Sequence, residues 1–414
     1  MKWIYSFGIG LIQILLPVLA IFFSKMRLFW EGRKDLFQRL LNFRSQNPGK
    51  LIWFHVASLG EYEQAKPVIA LLKSTYPDSL IVVSFFSPSG YVPATKKAQE
   101  HVDYVCYLPL DSAHNAKKML DILSPQLVFF VKYDLWYHYL KEIKTRNIPL
   151  YLIAASFRPD QIYFRRPGFF RDMIFRFDQI FTSNQKTRDL LQGIQYSAHS
   201  LAGDTRFDRV QQNAMHRKSF PQIQTWAGQE PVIVLGSVWQ EDMDLLIPLI
   251  ESHAAYKWII APHDIRSPHL REWSEQLSQK SIFYSQWDQL EDSRVLLIDN
   301  IGMLSSLYQF AQVAYVGGAF GEGLHNILEP LGFGVPVIFG KVKKASKFPE
   351  ADEAVQRQCG FSVSDEKELN QVFERLMKGE NHQNAVKHAH EWVNSQVGAA
   401  QRILDFVKEK HPEL

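Results

Sequence analysis

A carboxylate that could act as a general base follows the first apolar run of the soluble chain. The run Leu51–Ala57 continues into Ser58-Leu59-Gly60-Glu61, a turn that places Glu61 in the first turn of a helix. Acidic groups are favoured there, so Glu61 could also be a simple helix cap. Because a helix N-terminus lowers the pKa of a carboxylate, a base at this position requires burial or a bound substrate to raise it.

Two further charged segments follow apolar stretches in the first half of the chain. Lys132 and Asp134 emerge from the very apolar run Leu127–Val131, either to act on a substrate or to form a local ion pair. Arg206 lies in Gly203-Asp204-Thr205-Arg206-Phe207-Asp208. Its charge could neutralise a departing anion, or it could form a salt bridge between domains.

The second half contains a long glycine-rich loop, GGAFGEGLHNILEP at 317–330. Asn326 and Glu329 are three residues apart and share one face of the helix that follows, where Glu329 could accept hydrogen bonds from a ribose diol. Shorter loops at 236–239, 262–264 and 299–303 also follow apolar runs, and their backbone amides could hold a phosphate without a metal. A plain helix-start turn is the alternative for the long loop.

The elements that must position these residues alternate between short apolar runs and amphipathic stretches. This pattern predicts α/β architecture with parallel sheets, whose ligands bind at the carboxyl ends of the strands. A polar stretch at 211–230 separates two Rossmann-like halves. The predicted strands are Leu51–Ala57, Leu80–Phe85, Leu127–Val131, Leu150–Ala154, Gln179–Ser183, Pro231–Leu235, Trp258–Ala261, Val295–Ile298, Val313–Val316 and Pro336–Phe339.

The N-terminus predicts attachment to a membrane. Ile4–Phe23 is uncharged and long enough to span a bilayer, although an interfacial or half-inserted helix is also open. Basic residues at 25–44 follow it, and the positive-inside rule places the remainder on the cytoplasmic side. The predicted division is a membrane anchor at 1–24, a first Rossmann-like domain at 25–210 and a second at 211–414, whose last helix could cross back to the first domain.

Composition limits the remaining possibilities. A net charge of +3 gives no global indication of nucleic-acid binding, and two cysteines exclude a disulfide framework or a cysteine-based zinc site. Arginines and phenylalanines alternate at 156–188. This pattern suits a phosphorylated amphiphile or an anionic membrane face, although single strands of nucleic acid and a buried helix use the same residue types.

Together, VASLGE, KYDLW, GDTRFD and VGGAFGEGLHNILEPLGFGVPVIFG resemble the family of 3-deoxy-D-manno-octulosonic acid (Kdo) transferases over nearly the whole chain. The resemblance implies a GT-B fold, two Rossmann-like domains facing across a crevice, with an N-terminal membrane-anchoring helix. It implies inverting transfer of Kdo from CMP-Kdo to the lipid A precursor, lipid IVA, in lipopolysaccharide biosynthesis. The domain at 25–210 would then bind the acceptor, and the domain at 211–414 would bind the CMP-sugar donor. No cofactor and no metal are expected.

The resemblance also implies roles for individual residues. Glu61 matches the general base, and Arg206 matches a basic residue that stabilises the transition state. The segments that match the family's CMP contacts are Pro262-His263, Ile301-Gly302-Met303 and Asn326-Ile327-Leu328-Glu329.

Three departures from the family pattern affect these assignments. Lys132 stands where the family has a transition-state carboxylate, so its role is uncertain and Asp134 could have taken it over. The family's Pro-Arg-His is Ala261-Pro262-His263 here, which leaves Arg266 as a possible substitute for the arginine. The family's Gly-Gly-His-Asn is Gly-Leu-His-Asn.

The expected partners are CMP-Kdo, the lipid A precursor and inner-membrane lipids, with no nucleic acid. The expected location is the bacterial inner membrane, with the catalytic domains on the cytoplasmic side. The alternatives are another GT-B enzyme, a UDP-sugar transferase or epimerase, or a membrane-tethered nucleotide-sugar binding module. A binding module would tolerate the loss of Glu61.

Overall fold

A computed structural model describes residues 1–96, 98–265, 269–287, 293–343 and 347–414. The chain divides into two compact units, residues 1–209 with 397–414 and residues 210–396. The apolar N-terminal helix groups with the first unit, as does the last helix. The polar stretch that was expected between the domains is mainly helical.

The first unit is built on a parallel sheet whose described strands have the order β3-β2-β1-β4-β5-β6-β7. Its strands are β1 Leu51–Val56, β2 Leu80–Phe85, β3 Tyr104–Tyr107, β4 Leu127–Val131, β5 Leu150–Ala155, β6 Gln179–Thr182 and β7 His199–Leu201. Every residue of β1, β4 and β5 is buried, because helices cover both faces of the sheet. These three strands therefore consist almost entirely of apolar residues.

Three helices precede the first strand of this unit, and the others lie between or after its strands. These helices are α1 Lys2–Phe22, α2 Ser24–Glu31, α3 Leu36–Gln46, α4 Leu59–Thr75, α5 Pro88–Thr95, α6 Ala113–Leu123, α7 Tyr137–Thr145, α8 Ile162–Arg165, α9 Arg171–Ile174, α10 Gln185–Gly193 and α11 Thr205–Met215, which crosses the boundary at 209. The arginine- and phenylalanine-rich segment at 156–188 therefore contains two short helices, α8 and α9, then strand β6 and the start of α10, rather than one long buried helix.

The second unit repeats the plan with the strand order β10-β11-β9-β8-β12-β13-β14, again parallel. Its strands are β8 Val232–Val238, β9 Lys257–Pro262, β10 Ser281–Phe283, β11 Val295–Leu297, β12 Ala311–Val316, β13 Val337–Gly340 and β14 Gly360–Val363. Its helices are α12 Pro221–Ala227, α13 Gln240–Ser252, α14 His269–Gln276, α15 Leu304–Leu307, α16 Leu328–Gly332, α17 Pro349–Gln356, α18 Glu366–Leu376 and α19 Gly379–Gln396. The final helix, α20 Ala399–Lys410, belongs to the first unit and packs on α4.

The two sheets confirm the expected α/β class and its parallel strands. Each predicted strand coincides with an observed one to within a few residues. Four strands were not predicted, β3, β7, β10 and β14, and each lies at an edge of its sheet.

Candidate active site

Glu61 lies in the first turn of α4, directly after the carboxyl end of β1, and its side chain is buried. One carboxylate oxygen accepts a hydrogen bond from the Ala57 N–H at 2.6 Å, so the side chain does contact the start of its helix. Burial, followed by the negative charge of Asp134, nevertheless raises the pKa of Glu61 to about 7. The hydrogen bond from Ala57 and the charge of Lys132 act in the opposite direction. The burial that a base at this position requires is therefore present.

Lys132 and Asp134 occupy the turn after β4, the strand that pairs with β1. The Lys132 backbone has a φ of 70°, in the left-handed region that non-glycine residues rarely adopt, and its N–H donates to the Ile153 carbonyl at 2.9 Å. Burial raises the pKa of Asp134 to about 6, and the charge of Lys132 partly offsets this effect. No ion pair within 4 Å joins Lys132 to Asp134 in the part of the chain that the structure describes.

Arg206 lies in the first turn of α11 and pairs with Asp204, two residues earlier in the same unit. Its Nη2 and Nε atoms are 2.7 and 2.9 Å from one oxygen of Asp204, and its backbone N–H donates to the other. Burial would raise the pKa of Asp204, but Arg206 outweighs burial and lowers it, and Lys132 acts in the same direction. Asp204 thus holds the guanidinium of Arg206 in a fixed position.

The three segments form one electrostatic group, because Lys132 acts on the pKa of Glu61, Asp134 and Asp204. These effects indicate that Lys132 lies near Glu61 and near Asp204, the residue that holds Arg206, at the carboxyl edge of the first sheet. A carboxylate with a pKa near 7 can accept a proton at neutral pH, and the neighbouring cations can stabilise an anion that forms during a reaction.

In the second unit, the buried carboxylate of Asp242 joins the loops that follow β8 and β12. It accepts hydrogen bonds from the N–H groups of Trp239 and Gly318 and from the hydroxyl of Tyr315, each at 2.9 Å. The close approach of Asp242 to the loop after β12 explains why residues 317 and 318 are glycines. A Cβ at Gly317 would lie 2.5 Å from an Asp242 oxygen, and Gly318 has a φ of 96°.

An aromatic stack of Trp239, His263 and His325 lies at the same edge of the second sheet. The His263 ring centroid is 4.4 Å from both neighbouring rings, and Trp239 Nε1 donates to His325 Nε2 at 3.0 Å. Burial, followed by the proximity of His263, lowers the pKa of His325 to about 4. His325 is therefore neutral at physiological pH. The sequence placed Trp239 and His325 in loops at strand ends but did not identify them as partners of His263.

The other predicted CMP contacts occupy the ends of adjacent strands in this unit. Pro262 ends β9, and the 301–303 segment precedes α15. The side chains of Ile301 and Asn326 are exposed, whereas those of Ile327 and Leu328 are buried in the core. Asn326 donates to Glu329 at 3.3 Å and accepts from the Leu328 N–H at 3.2 Å. Arg266 lies outside the described residues.

Comparisons with known proteins find similarity to one family of enzymes. Residues 34–209 match the family model described as 3-deoxy-D-manno-octulosonic-acid transferase (kdotransferase). A 3-deoxy-D-manno-octulosonic acid transferase from Chlamydia trachomatis serovar A is 26% identical over 417 residues, which cover 95% of each chain. The enzyme of the same name from Haemophilus influenzae is 25% identical over 87% of each chain.

The chain is thus similar to Kdo transferases over nearly its whole length.

These matches confirm the resemblance on which the sequence interpretation depends, and they support glycosyl transfer as the activity class of the chain. Among solved structures, a UDP-GlcNAc 2-epimerase from Methanocaldococcus jannaschii matches with a TM-score of 0.56 and 15% identity, covering 86% of this chain and all of that one. MurG from Acinetobacter baumannii matches with a TM-score of 0.56 and 12% identity, covering 87% and 100%. At such low identity these likenesses concern the fold alone, and they confirm the GT-B class of this Kdo transferase relative.

Proposed function

We propose that the protein transfers Kdo from CMP-Kdo to the lipid A precursor, lipid IVA, with inversion at the anomeric carbon. The observation that carries this proposal is Glu61, a buried carboxylate with a pKa of about 7 at the carboxyl edge of the first sheet. A residue that served only as an exposed helix cap would have a lowered pKa.

In this mechanism, the Glu61 carboxylate accepts the proton of the attacking hydroxyl of the acceptor sugar. The hydroxyl oxygen forms the new bond to the anomeric carbon of Kdo while the bond to the CMP phosphate breaks. CMP leaves as an anion that is stable without a strong acid, so the site needs positive charge rather than a proton donor. Arg206, held by Asp204, and Lys132 supply that charge.

The second unit binds the CMP part of the donor. The exposed side chain of Asn326 and its hydrogen-bond partner Glu329 contact the nucleoside, as does the exposed ring of His263, which stacks on both Trp239 and His325. Ile327 and Leu328 contribute through their backbone, because their side chains are buried. No cofactor or metal takes part in this scheme, in which CMP-Kdo is a co-substrate.

The acceptor binds the first unit at a membrane. The α8–α9 segment exposes Ile162, Arg165 and Arg166, which suit the acyl chains and phosphates of a lipid A precursor. We place the protein at the bacterial inner membrane with both units on the cytoplasmic side, in agreement with the basic residues after α1.

The test is to incubate the purified protein with CMP-Kdo and lipid IVA and to follow CMP release and the mass of the lipid product. Parallel reactions with UDP-N-acetylglucosamine test the alternative GT-B activities. The Glu61→Gln variant provides the matched control, since a tethered binding module would retain its ligand affinity and show no turnover in either form.

A further inference from the structure

Helix α1 is long and apolar enough to cross a bilayer, with 21 residues and a mean hydropathy of 2.1 in its best window. About 30 Å of hydrocarbon would be covered by such a helix if it stood upright. The contacts of α1 with the remainder of the first unit indicate whether the helix lies across the membrane or in its plane. This question is independent of the reaction that the enzyme catalyses.

One face of α1 is covered along most of the helix. Tyr5, Ile9 and Gln13 are half-buried, and Leu16 and Ala20 are buried. The spacing of these residues, three or four positions apart, places them on a single stripe of the helix surface. If α1 crossed the bilayer as a separate transmembrane helix, these residues would not be covered by the first unit along most of its length.

The N-terminal end of α1 is fixed to the soluble fold. The Tyr5 hydroxyl donates to Asp111 at 2.6 Å, and the Tyr5 ring centroid is 5.5 Å from that of Phe169. Ser6 Oγ lies 3.0 Å from His138 Nε2. Asp111 is itself buried and accepts hydrogen bonds from the backbone N–H of His138 at the start of α7. Asp111 is therefore part of the soluble fold, and Tyr5 must stay on the same side of the membrane to keep its hydrogen bond.

The C-terminal end of α1 is held near the same part of the unit. Leu16 belongs to a small apolar cluster with Phe29 and Leu110, the residue that precedes Asp111. Arg27 also donates to the Ala20 carbonyl at 3.3 Å. Tyr5 and Leu16 are about 16 Å apart along the helix. In an upright helix one of these two ends would lie deep in the bilayer, away from residues 110 and 111.

The opposite face of α1 is exposed and apolar. Its exposed side chains include Trp3, Ile4, Phe7, Leu11, Ile14, Leu15, Val18, Ile21 and Phe22. Exposed cations lie at both ends of the helix: Lys2 is its first residue, and Lys25 and Arg27 follow its last. An apolar face between cations fits one leaflet of an anionic membrane, whose headgroups meet the charges while the acyl region covers the side chains.

We propose that α1 lies in the plane of the membrane as a monotopic anchor, with its Tyr5–Ala20 stripe on the first unit and its opposite face in one leaflet. The two ends of the helix are then on the same side of the bilayer.

Labelling with a membrane-impermeant maleimide tests this orientation in the full-length protein. The single variants Lys2→Cys and Lys25→Cys are expressed and compared in right-side-out and inverted inner-membrane vesicles. The two native cysteines, Cys106 and Cys359, are buried and give a low background. The proposal predicts that both positions label in the same type of vesicle. Labelling of the two positions in opposite types of vesicle would overturn it.

A cross-linking experiment tests the docked stripe directly. A short bis-maleimide should join the two positions of Ser6→Cys/His138→Cys in native membranes, whereas Ile14→Cys/His138→Cys, with position 14 on the exposed face, should not react. Equal cross-linking of both pairs, or none in the first pair, would contradict the docked helix.

Vesicle flotation tests whether the exposed apolar face of α1 binds a lipid membrane. Purified protein should float with vesicles that contain phosphatidylglycerol, and Phe7→Glu/Ile14→Glu should reduce the bound fraction at least tenfold without changing the melting temperature. A wild-type protein that stays off the vesicles and forms a dimer, which the double variant abolishes, would assign this face to a second copy and overturn the membrane assignment.

Discussion

Glu61→Gln should separate the catalytic role of this residue from its structural role by changing activity and stability in opposite directions. Glutamine has nearly the shape of a protonated glutamate, and its side-chain oxygen can still accept the hydrogen bond from Ala57. In the native protein the pKa of Glu61 is raised from 4.5 to about 7. At 1.36 kcal/mol per pKa unit, keeping this buried carboxylate ionised costs roughly 3 kcal/mol.

The sign of the effect on stability follows from proton binding. Between pH 4.5 and 7 the native protein holds a proton on Glu61 that the unfolded chain has released, so the contribution of Glu61 to stability falls as the pH rises through this range. Glu61→Gln removes that dependence. The variant should match the wild type near pH 4.5 and be more stable by roughly 3 kcal/mol at pH 8, or about 6–12 °C in melting temperature.

The assay combines thermal melting at pH 5 and pH 8 with the rate of Kdo transfer at pH 8. Turnover of Glu61→Gln should fall by about 100-fold or more, while CMP binding is retained. In the wild type, kcat/KM should rise with pH through an apparent pKa near 7, which belongs jointly to Glu61 and Asp134.

Glu63 on the same helix is the matched control. Burial would raise its pKa, but its ion pairs with Lys66 and Arg209 lower the pKa overall. Glu63→Gln should therefore destabilise the protein at pH 8, the opposite of Glu61→Gln. If Glu61→Gln were also less stable at pH 8, or retained near wild-type turnover, Glu61 would be only a helix cap and the reasoning would be refuted.

Three further predictions concern the donor site, the strand-end charge and the absence of a metal. Asn326→Ala and Glu329→Ala should each weaken CMP binding by about 1–3 kcal/mol in calorimetry, and unchanged affinity in both would exclude these residues from the site. Lys132→Ala should reduce turnover with little change in melting temperature and Lys132→Glu should reduce it further, whereas full activity in Lys132→Ala, Asp134→Ala and the double variant would show that this position has no catalytic role. A chelator should leave the transfer rate unchanged, and a rate that falls with chelator and returns with a divalent cation would contradict the metal-free scheme.

The sequence was sufficient to predict the central strands of both sheets because each is covered by helices on both faces and therefore reads as a continuous apolar run. It was insufficient for β3, β7, β10 and β14. These edge strands are short and have a neighbour on one side only, so their residues remain partly exposed and their apolar pattern is weaker. The run Ile4–Phe23 predicted a helix, but only the contacts of Tyr5 and Leu16 indicate how it is oriented.

Candidate site residues could be chosen from the sequence where a strand end and a charged side chain coincide, as at Glu61 and Lys132. The pKa of Glu61 was not predictable, because it depends on burial and on Asp134, which is more than 70 positions away in the sequence. The stack of Trp239, His263 and His325 also joins three loops from distant parts of the chain. Such contacts arise from the order of strands in the sheet, which local patterns do not contain.

The most direct measurement of the central claim is the mass of the lipid product after incubation with CMP-Kdo and lipid IVA, with wild-type protein and Glu61→Gln side by side. The wild type should release CMP and yield lipid IVA heavier by whole Kdo units, and the variant should yield at most about a hundredth of the product in the same time. Unmodified lipid with the wild type, or equal product from both proteins, would contradict the account.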